Sequence, residues 1–313
     1  MTMALGAVQV LILILGAPLA HGIIARIKAW LQRRQGASIW RPYAELGKLF
    51  QKEDLAPPTS SSIFILAPRV MFAAALAVAA FIPVLQPFAL FGSVGDFVLM
   101  VYLLALGRFF LALGALDGGG AFGGMGASRD ALVSTLAEAP FLLALAAVSI
   151  SARSASITGI VGWTLRQNFF EISAVHILAF AALGMVALAE SGRMPVDNPT
   201  THLELTMIHE AMTLEYSGPS LALLEWAGAV KLNIMLALLI SLFGPWGMAG
   251  SPAPAALGIA LGAYLLKMLV LMSLLAVIES SMAKLRMYLV PDFLGVAAAL
   301  SVLAVFFTMI AKR

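Results

Sequence analysis

Eight apolar runs divide the chain, each of about the length that crosses roughly 30 Å of hydrocarbon, and they leave few folds open. They lie near 4–24, 63–85, 94–115, 130–150, 173–190, 219–243, 256–277 and 292–311. A chain that is 61% hydrophobic and only 11% charged stands far from a soluble domain, in which about 25% of residues are charged. In lipid every backbone N–H and C=O must find its partner inside the chain. The sequence therefore predicts an all-α, polytopic membrane protein of about eight transmembrane helices, forming one integral membrane domain over 1–313. The first run follows only Met-Thr-Met and ends at His21-Gly22 with neither a basic n-region nor a small-residue cleavage pattern, so it reads as a retained helix.

Lysine and arginine set the expected orientation. The connection 25–62 carries Arg26, Lys28, Arg33, Arg34, Arg41, Lys48 and Lys52, and loops on the same side add Arg129, Arg193, Lys284 and Arg286. The opposite side offers Arg153, Arg166, Lys312 and Arg313. By the positive-inside rule, loops 25–62, 116–129, 191–218 and 278–291 face the cytoplasm and both termini face outward. The bilayer expected is a bacterial cytoplasmic (inner) membrane. A net charge of +3 gives no support to nucleic-acid binding. Cysteine is absent, which rules out thiolate-held clusters and disulfides within the chain.

Segment 25–54 alternates cations with Trp30, Leu31, Ile39, Trp40, Leu46, Leu49 and Phe50, as a juxtamembrane amphipathic helix on anionic lipid would or a docking shelf for a partner. Gly36 and Pro42 break it, favouring a shaped loop. The stretch 117–130 contains G-x-G-x-x-G at Gly118, Gly120 and Gly123, but a dinucleotide fingerprint requires a preceding strand. Here a membrane span precedes it, so a flexible loop packed against a partner is expected. His209-Glu210 opens like the H-E-x-x-H zinc motif, yet Thr213 stands where the second histidine belongs.

Ionisable residues concentrate in 190–218: Glu190, Arg193, Asp197, His202, Glu204, His209, Glu210 and Glu215. Others fall inside apolar runs, where charge is costly and marks paired or wet positions: Arg108, Glu138, Lys231, Lys267 and Glu279. Arg108 and Glu279 lie close enough to predicted helix ends to reach the interface by snorkelling. Glu138 lies about two turns inside its run, where a carboxylate is neutral or paired.

Three motifs in order carry a resemblance. Gln32-x-Arg34-x-Gly36, Pro42-Tyr-Ala-Glu45 and Lys48-Leu-Phe-Gln-Lys52-Glu53 resemble the first cytoplasmic loop of the complex I quinone-channel subunit. Gly126-Ala-Ser-Arg129, with Glu138 nine residues on, is similar to its buried-glutamate helix. Glu190-x-x-Arg193-x-Pro195-x-Asp197, Glu204-Leu205 and Glu215-Tyr216 resemble its acidic loop. Arg108-Phe-Phe, Leu116-Asp117-Gly and Glu215-Tyr-Ser-Gly218 resemble more closely the membrane anchor of energy-converting NiFe hydrogenases of the formate-hydrogenlyase type. Two departures, Ala37 in place of the family's proline and Thr200 and His202 in place of two carboxylates, weaken the expectation of a quinone site.

The resemblance implies a membrane-anchor and proton-coupling subunit with no catalytic residue and no cofactor of its own. Glu138, Glu190, Asp197, Glu204, Glu210, Glu215, His202, His209 and Lys231 would relay protons. Arg33, Arg34, Arg41, Lys48, Arg129 and Arg193 would dock a peripheral arm. Iron–sulfur clusters and a NiFe centre would belong to peripheral subunits, with antiporter-like subunits beside the chain in the membrane. The alternatives are a quinone-site subunit of an NADH or related dehydrogenase, and a stand-alone ion transporter, against which the lack of an internal repeat argues.

Overall fold

A computed structural model describes residues 2–92, 94–167, 173–198 and 207–311, so His202 and Glu204 lie outside the described residues. Among those residues the chain is all-helical. The helices are α1 (Thr2–Leu31), α2 (Arg41–Phe50), α3 (Ser62–Ala79), α4 (Phe97–Asp117), α5 (Ala121–Ala152) and α6 (Ile157–Leu165). Then follow α7 (Ala174–Glu190), α8 (His209–Thr213), α9 (Gly218–Phe243), α10 (Pro254–Ser281) and α11 (Val290–Ala311). Seven helices are long and apolar enough to cross a membrane, and α7, with 17 residues, is an eighth, shorter apolar helix. The expected runs and these eight helices correspond one to one.

Helix α9 is the axis of the bundle. An unbroken stretch from Ala229 to Leu242 is buried on every side of the helix, because α1, α2, α3, α6, α7 and α10 all pack on it. A helix apolar all round buries all round. Helix α1 meets it at Pro18. A proline inside a helix has no N–H for the carbonyl four residues back, here that of Ile14, and the Trp226 indole donates to this oxygen at 3.1 Å. The flanking carbonyls are taken too: Asn233 Nδ2 donates to Leu13 at 2.7 Å, and the Tyr43 hydroxyl of α2 donates to Leu15. The proline thus turns one turn of α1 into an acceptor site that fixes α2 and α9. Pro42 sits in the first turn of α2, where a missing N–H costs nothing, so it opens a helix instead of breaking one.

Two ends of the bundle differ in chemistry. At one end lie the segments 32–61, 118–120, 191–198, 207–217 and 282–289, stitched together by Leu55 N to Ser217 Oγ (2.8 Å), Ser220 Oγ to Asp54 (2.7 Å), and Ser61 N and Phe64 N to Asp117 (2.7 and 3.1 Å). Leu285 N donates to Pro195 O at 2.8 Å. The cations from Arg26 to Lys52, with Arg129, Arg193, Lys284 and Arg286, fall in or beside this end. At the other end the connection after α3 folds inward with Phe81–Gln86 buried. Gln9, 2% exposed, holds it: Oε1 accepts from Val84 N (2.7 Å) and Leu85 N (2.9 Å), and Nε2 donates to Phe88 O (3.2 Å). A buried backbone group without a partner costs roughly 1–3 kcal/mol. Gln9→Leu should therefore lower the thermal midpoint of the solubilised protein by several degrees, whereas an unchanged midpoint would show that the connection holds itself.

Three expectations need correction. The second run ends as helix at Ala79, and residues 80–92 are non-helical; Gln9 and Ser241, which donates to Pro83 O at 2.6 Å, supply the partners that a helix would have provided. The glycine-rich stretch is not a flexible loop, because α4 and α5 are joined by only residues 118–120 and Gly123, Gly124 and Gly126 are helical. A Cβ on Gly126 would lie 2.9 Å from both Ala211 Cβ and the Ile208 carbonyl oxygen, and one on Gly123 would lie 2.6 Å from the Ala115 carbonyl oxygen; glycine here permits close packing. Lys267, inside an apolar run, donates to the Gly244 carbonyl at 2.7 Å and to that of Trp246. It caps the C-terminus of α9, where a cation meets the negative end of the helix dipole.

Candidate functional site

The charged end of the bundle holds two buried carboxylates, each shared by two cations. Glu190 closes α7. Its side chain has no solvent exposure and receives Arg108 Nη1 of α4 at 2.5 Å and Lys231 Nζ of α9 at 3.0 Å. Glu279, near the end of α10 and equally enclosed, lies 2.8 Å from Lys28 Nζ of α1 and 3.4 Å from Arg193 Nη1. Arg108 and Glu279, expected to reach solvent by snorkelling, are instead core partners; removing charge from water is tolerated here because each charge meets its opposite.

The backbone that follows α7 brings the two groups together. Gly192 takes φ +58°, the left-handed geometry that ends helices, and Arg193 N closes on Leu188 O at 2.9 Å. The chain then passes a cis Met194–Pro195 bond to Asp197, 3% exposed. Asp197 accepts from Lys284 Nζ (2.6 Å), Asn198 N (2.8 Å) and His209 N (3.1 Å). The short segment from Glu190 to Asp197 thus touches both buried carboxylate groups and the first turn of α8. A cavity of about 40 Å³ opens beside the Glu190 group and Asp197, lined among others by Arg108, Asp130, Glu190, Asp197, His209 and Lys231. That volume is room for roughly three waters.

Of the expected relay residues, Glu190, Asp197, His209 and Lys231 therefore share one cavity. Glu138 is half-buried on α5 and makes no hydrogen bond or ion pair with a described residue. Glu210 is half-buried on α8. Glu215 is exposed and lies against Gly118 and Gly120. The neighbouring Tyr216 is buried and stacks on Phe64 at 4.1 Å; burial, with Asp117 nearby, pushes its phenol pKa above the ordinary value. Of the expected docking residues, Arg33, Arg34, Arg41 and Lys48 are exposed, with Arg41 paired to Glu45 at 2.6 Å. Arg129 is half-buried and donates to Met207 O at 3.0 Å, and Arg193 is buried against Glu279. Sequence reasoning missed Lys28 and Glu279 as partners and Asp130 altogether; an Asp beside Arg129 on a glycine-rich helix start gave no signal.

A second, larger cleft of about 320 Å³ lies between α1, α2 and α9. Pro18, Leu46, Leu49, Leu221 and Ala229 give it apolar walls, and Glu45, Lys48 and Glu225 give it charge.

The model of the NADH dehydrogenase family matches residues 4–309. The chain belongs to the NADH dehydrogenase subunit 1/H family. Among family members it is 34% identical to hydrogenase-4 component C of Escherichia coli (strain K12), over 95% of this chain and 92% of the relative. It is 31% identical to formate hydrogenlyase subunit 4 of the same organism, over 91% of each chain. An H-type subunit of the NADH-quinone oxidoreductase of Syntrophobacter fumaroxidans is 30% identical over 72% of this chain and 73% of its own. The family fold is shared with a chain of an archaeal respiratory membrane complex, the membrane-bound sulfane sulfur reductase. That likeness has a TM-score of 0.85 at 20% identity and covers 98% of this chain and all of that one. The resemblance drawn from the three motifs is thereby borne out.

Proposed function

We propose that the chain is the membrane-anchor and proton-coupling subunit of a multisubunit, hydrogenase-type redox complex in a bacterial cytoplasmic membrane, with both termini outside. The observation that carries this reading is the pair of buried carboxylate–cation groups, that of Glu190 beside a water-sized cavity, at the end of the bundle that carries the cationic surface. The likeness to hydrogenase-4 component C and formate hydrogenlyase subunit 4 supports it. In this reading peripheral subunits with iron–sulfur clusters and a NiFe centre dock on the 25–62 and 191–218 segments, and antiporter-like subunits lie alongside in the membrane. The cofactors are theirs.

In this reading the coupling step runs through segment 191–198. Segment 191–198 leads out of α7, is largely buried, and is the backbone carrier of Arg193 and Asp197. A shift imposed on it by electron transfer in the arm moves Arg193 relative to Glu279 and Asp197 relative to Lys284. A carboxylate that loses a cation within about 4 Å takes up a proton more readily. Cavity water then links the changed group to Glu190 and Lys231, and Glu138 continues the path along α5. The chain's own contribution is positioning and protonation; the redox chemistry stays outside it.

Docking can be tested by charge reversal. Arg34 and Arg41 are exposed, and Arg41→Glu also loses the Glu45 pair, which at the surface is worth at most about 1 kcal/mol. The double variant Arg34→Glu/Arg41→Glu should leave this subunit in the membrane while the soluble arm dissociates, because like charges oppose any acidic partner surface. A complex that retains its arm and full activity would refute docking through this segment.

The apolar cleft between α1, α2 and α9 favours one further reading, in which the same scaffold serves a quinone-reducing dehydrogenase. Its volume falls in the range of small-molecule sites. Quinone reduction by the purified complex, slowed by Arg34→Ala, would support that reading, and its absence would leave the hydrogenase-type reading.

A further inference from the structure

The charge balance around Lys231 does not close within its ion pairs. Arg108 and Lys231 bring two positive charges to the single carboxylate of Glu190, and all three side chains are at most 10% exposed. Asp197, which lines the same cavity, is committed to Lys284. An uncompensated buried charge costs several kcal/mol, so a second carboxylate is required nearby. Asp130, contributed by α5, is the remaining acid among the described residues that line the cavity, and it accepts a side-chain hydrogen bond from Ser134 Oγ at 3.4 Å. Arg108 Nε is buried with no hydrogen-bond partner among the described residues, and the cavity holds enough space for water to satisfy it.

We propose that Asp130 is the second carboxylate of this site: across the cavity water it balances the positive charge that Arg108, Glu190 and Lys231 leave over. This deepens the proton-coupling reading and rests on it only for its purpose. If Glu190 takes up a proton during coupling, Asp130 is the anion that remains for the two cations. Asp130 is a positioning residue that acts on Lys231 through water, and it makes no direct ion pair. The group is then two cations and two anions, and electroneutral.

Electroneutrality makes a sharp prediction for a double-mutant cycle in the purified, assembled complex. Asp130→Asn leaves the site at +1 and Lys231→Met leaves it at −1, so each alone should lower the thermal midpoint. Together they restore a neutral site. Adding Asp130→Asn to Lys231→Met should therefore raise the midpoint, whereas adding it to the unaltered protein lowers it. Asp130→Glu, which keeps the charge, should behave as wild type in midpoint. Where a single variant fails to assemble, the amount of assembled complex in membranes gives the same cycle, with recovery in the double variant. Additive losses, or Asp130→Glu as harmful as Asp130→Asn, would overturn the assignment. The cycle reads stability alone, so it stands or falls separately from the coupling experiment on Glu138.

Discussion

Glu190→Ala is expected to cost about 3–5 kcal/mol, the range for breaking a buried ion pair by removing one partner. This is a large share of the stability of any single bundle. The loss is not that of one contact. Arg108 and Lys231 would both keep their charge inside the bundle, 10% exposed and facing each other, with the carboxylate that separated them gone. Helices α4, α7 and α9 meet at that point, so the repulsion acts across three elements. Glu190→Gln should be milder because the amide oxygen still accepts one hydrogen bond, but it too leaves an excess of positive charge. Yield of membrane-inserted protein and thermal midpoint after solubilisation measure both variants. Glu138→Ala is the control, since Glu138 is half-buried and has no partner among the described residues. If Glu190→Ala is no more damaging than Glu138→Ala, the buried pairs do not hold the bundle end together.

Much of the fold was legible because lipid imposes one rule on every span. Apolar length alone located eight helices, and lysine and arginine counts separated the two ends of the bundle. What stayed illegible depends on contacts between distant residues. Glycine is a poor helix former, so 117–130 read as a loop; the helix forms because Gly123 and Gly126 let α5 close on Ala115, Ile208 and Ala211. Pro42 read as a breaker, yet at a first turn it is harmless. Arg108 and Glu279 stood out singly as charges in apolar runs. Nothing in the periodicity of α4 said that its arginine would meet the last residue of α7, nor that of α10 that its glutamate would lie between Lys28 and Arg193, 251 and 86 positions away. Sequence marks the costly charges, and topology chooses their partners. Asp130 gave no mark, because a carboxylate next to an arginine at a helix start is ordinary surface chemistry.

The proton-coupling account predicts that Glu138→Gln separates electron flow from proton movement. Glu138 is in α5, the helix that contacts α4, α7, α8 and α11 and also carries Arg129 and Asp130. It is half-buried and has no hydrogen-bond or ion-pair partner among the described residues. Gln preserves its size and most of its hydrogen bonding but has no proton to exchange. The variant should assemble and retain its electron-transfer rate or run faster, as a pump does when released from its load. Acidification per electron should be largely lost, because the path then lacks one proton-exchanging group. A structural role predicts the opposite ranking: Gln tolerated, Ala more costly through lost packing. The deciding measurement is electron-transfer rate and lumen acidification in the same inverted vesicles for wild type, Glu138→Gln and Glu138→Ala. Preserved electron transfer with acidification lost in the Gln variant is the predicted result, and full acidification per electron in that variant would contradict it.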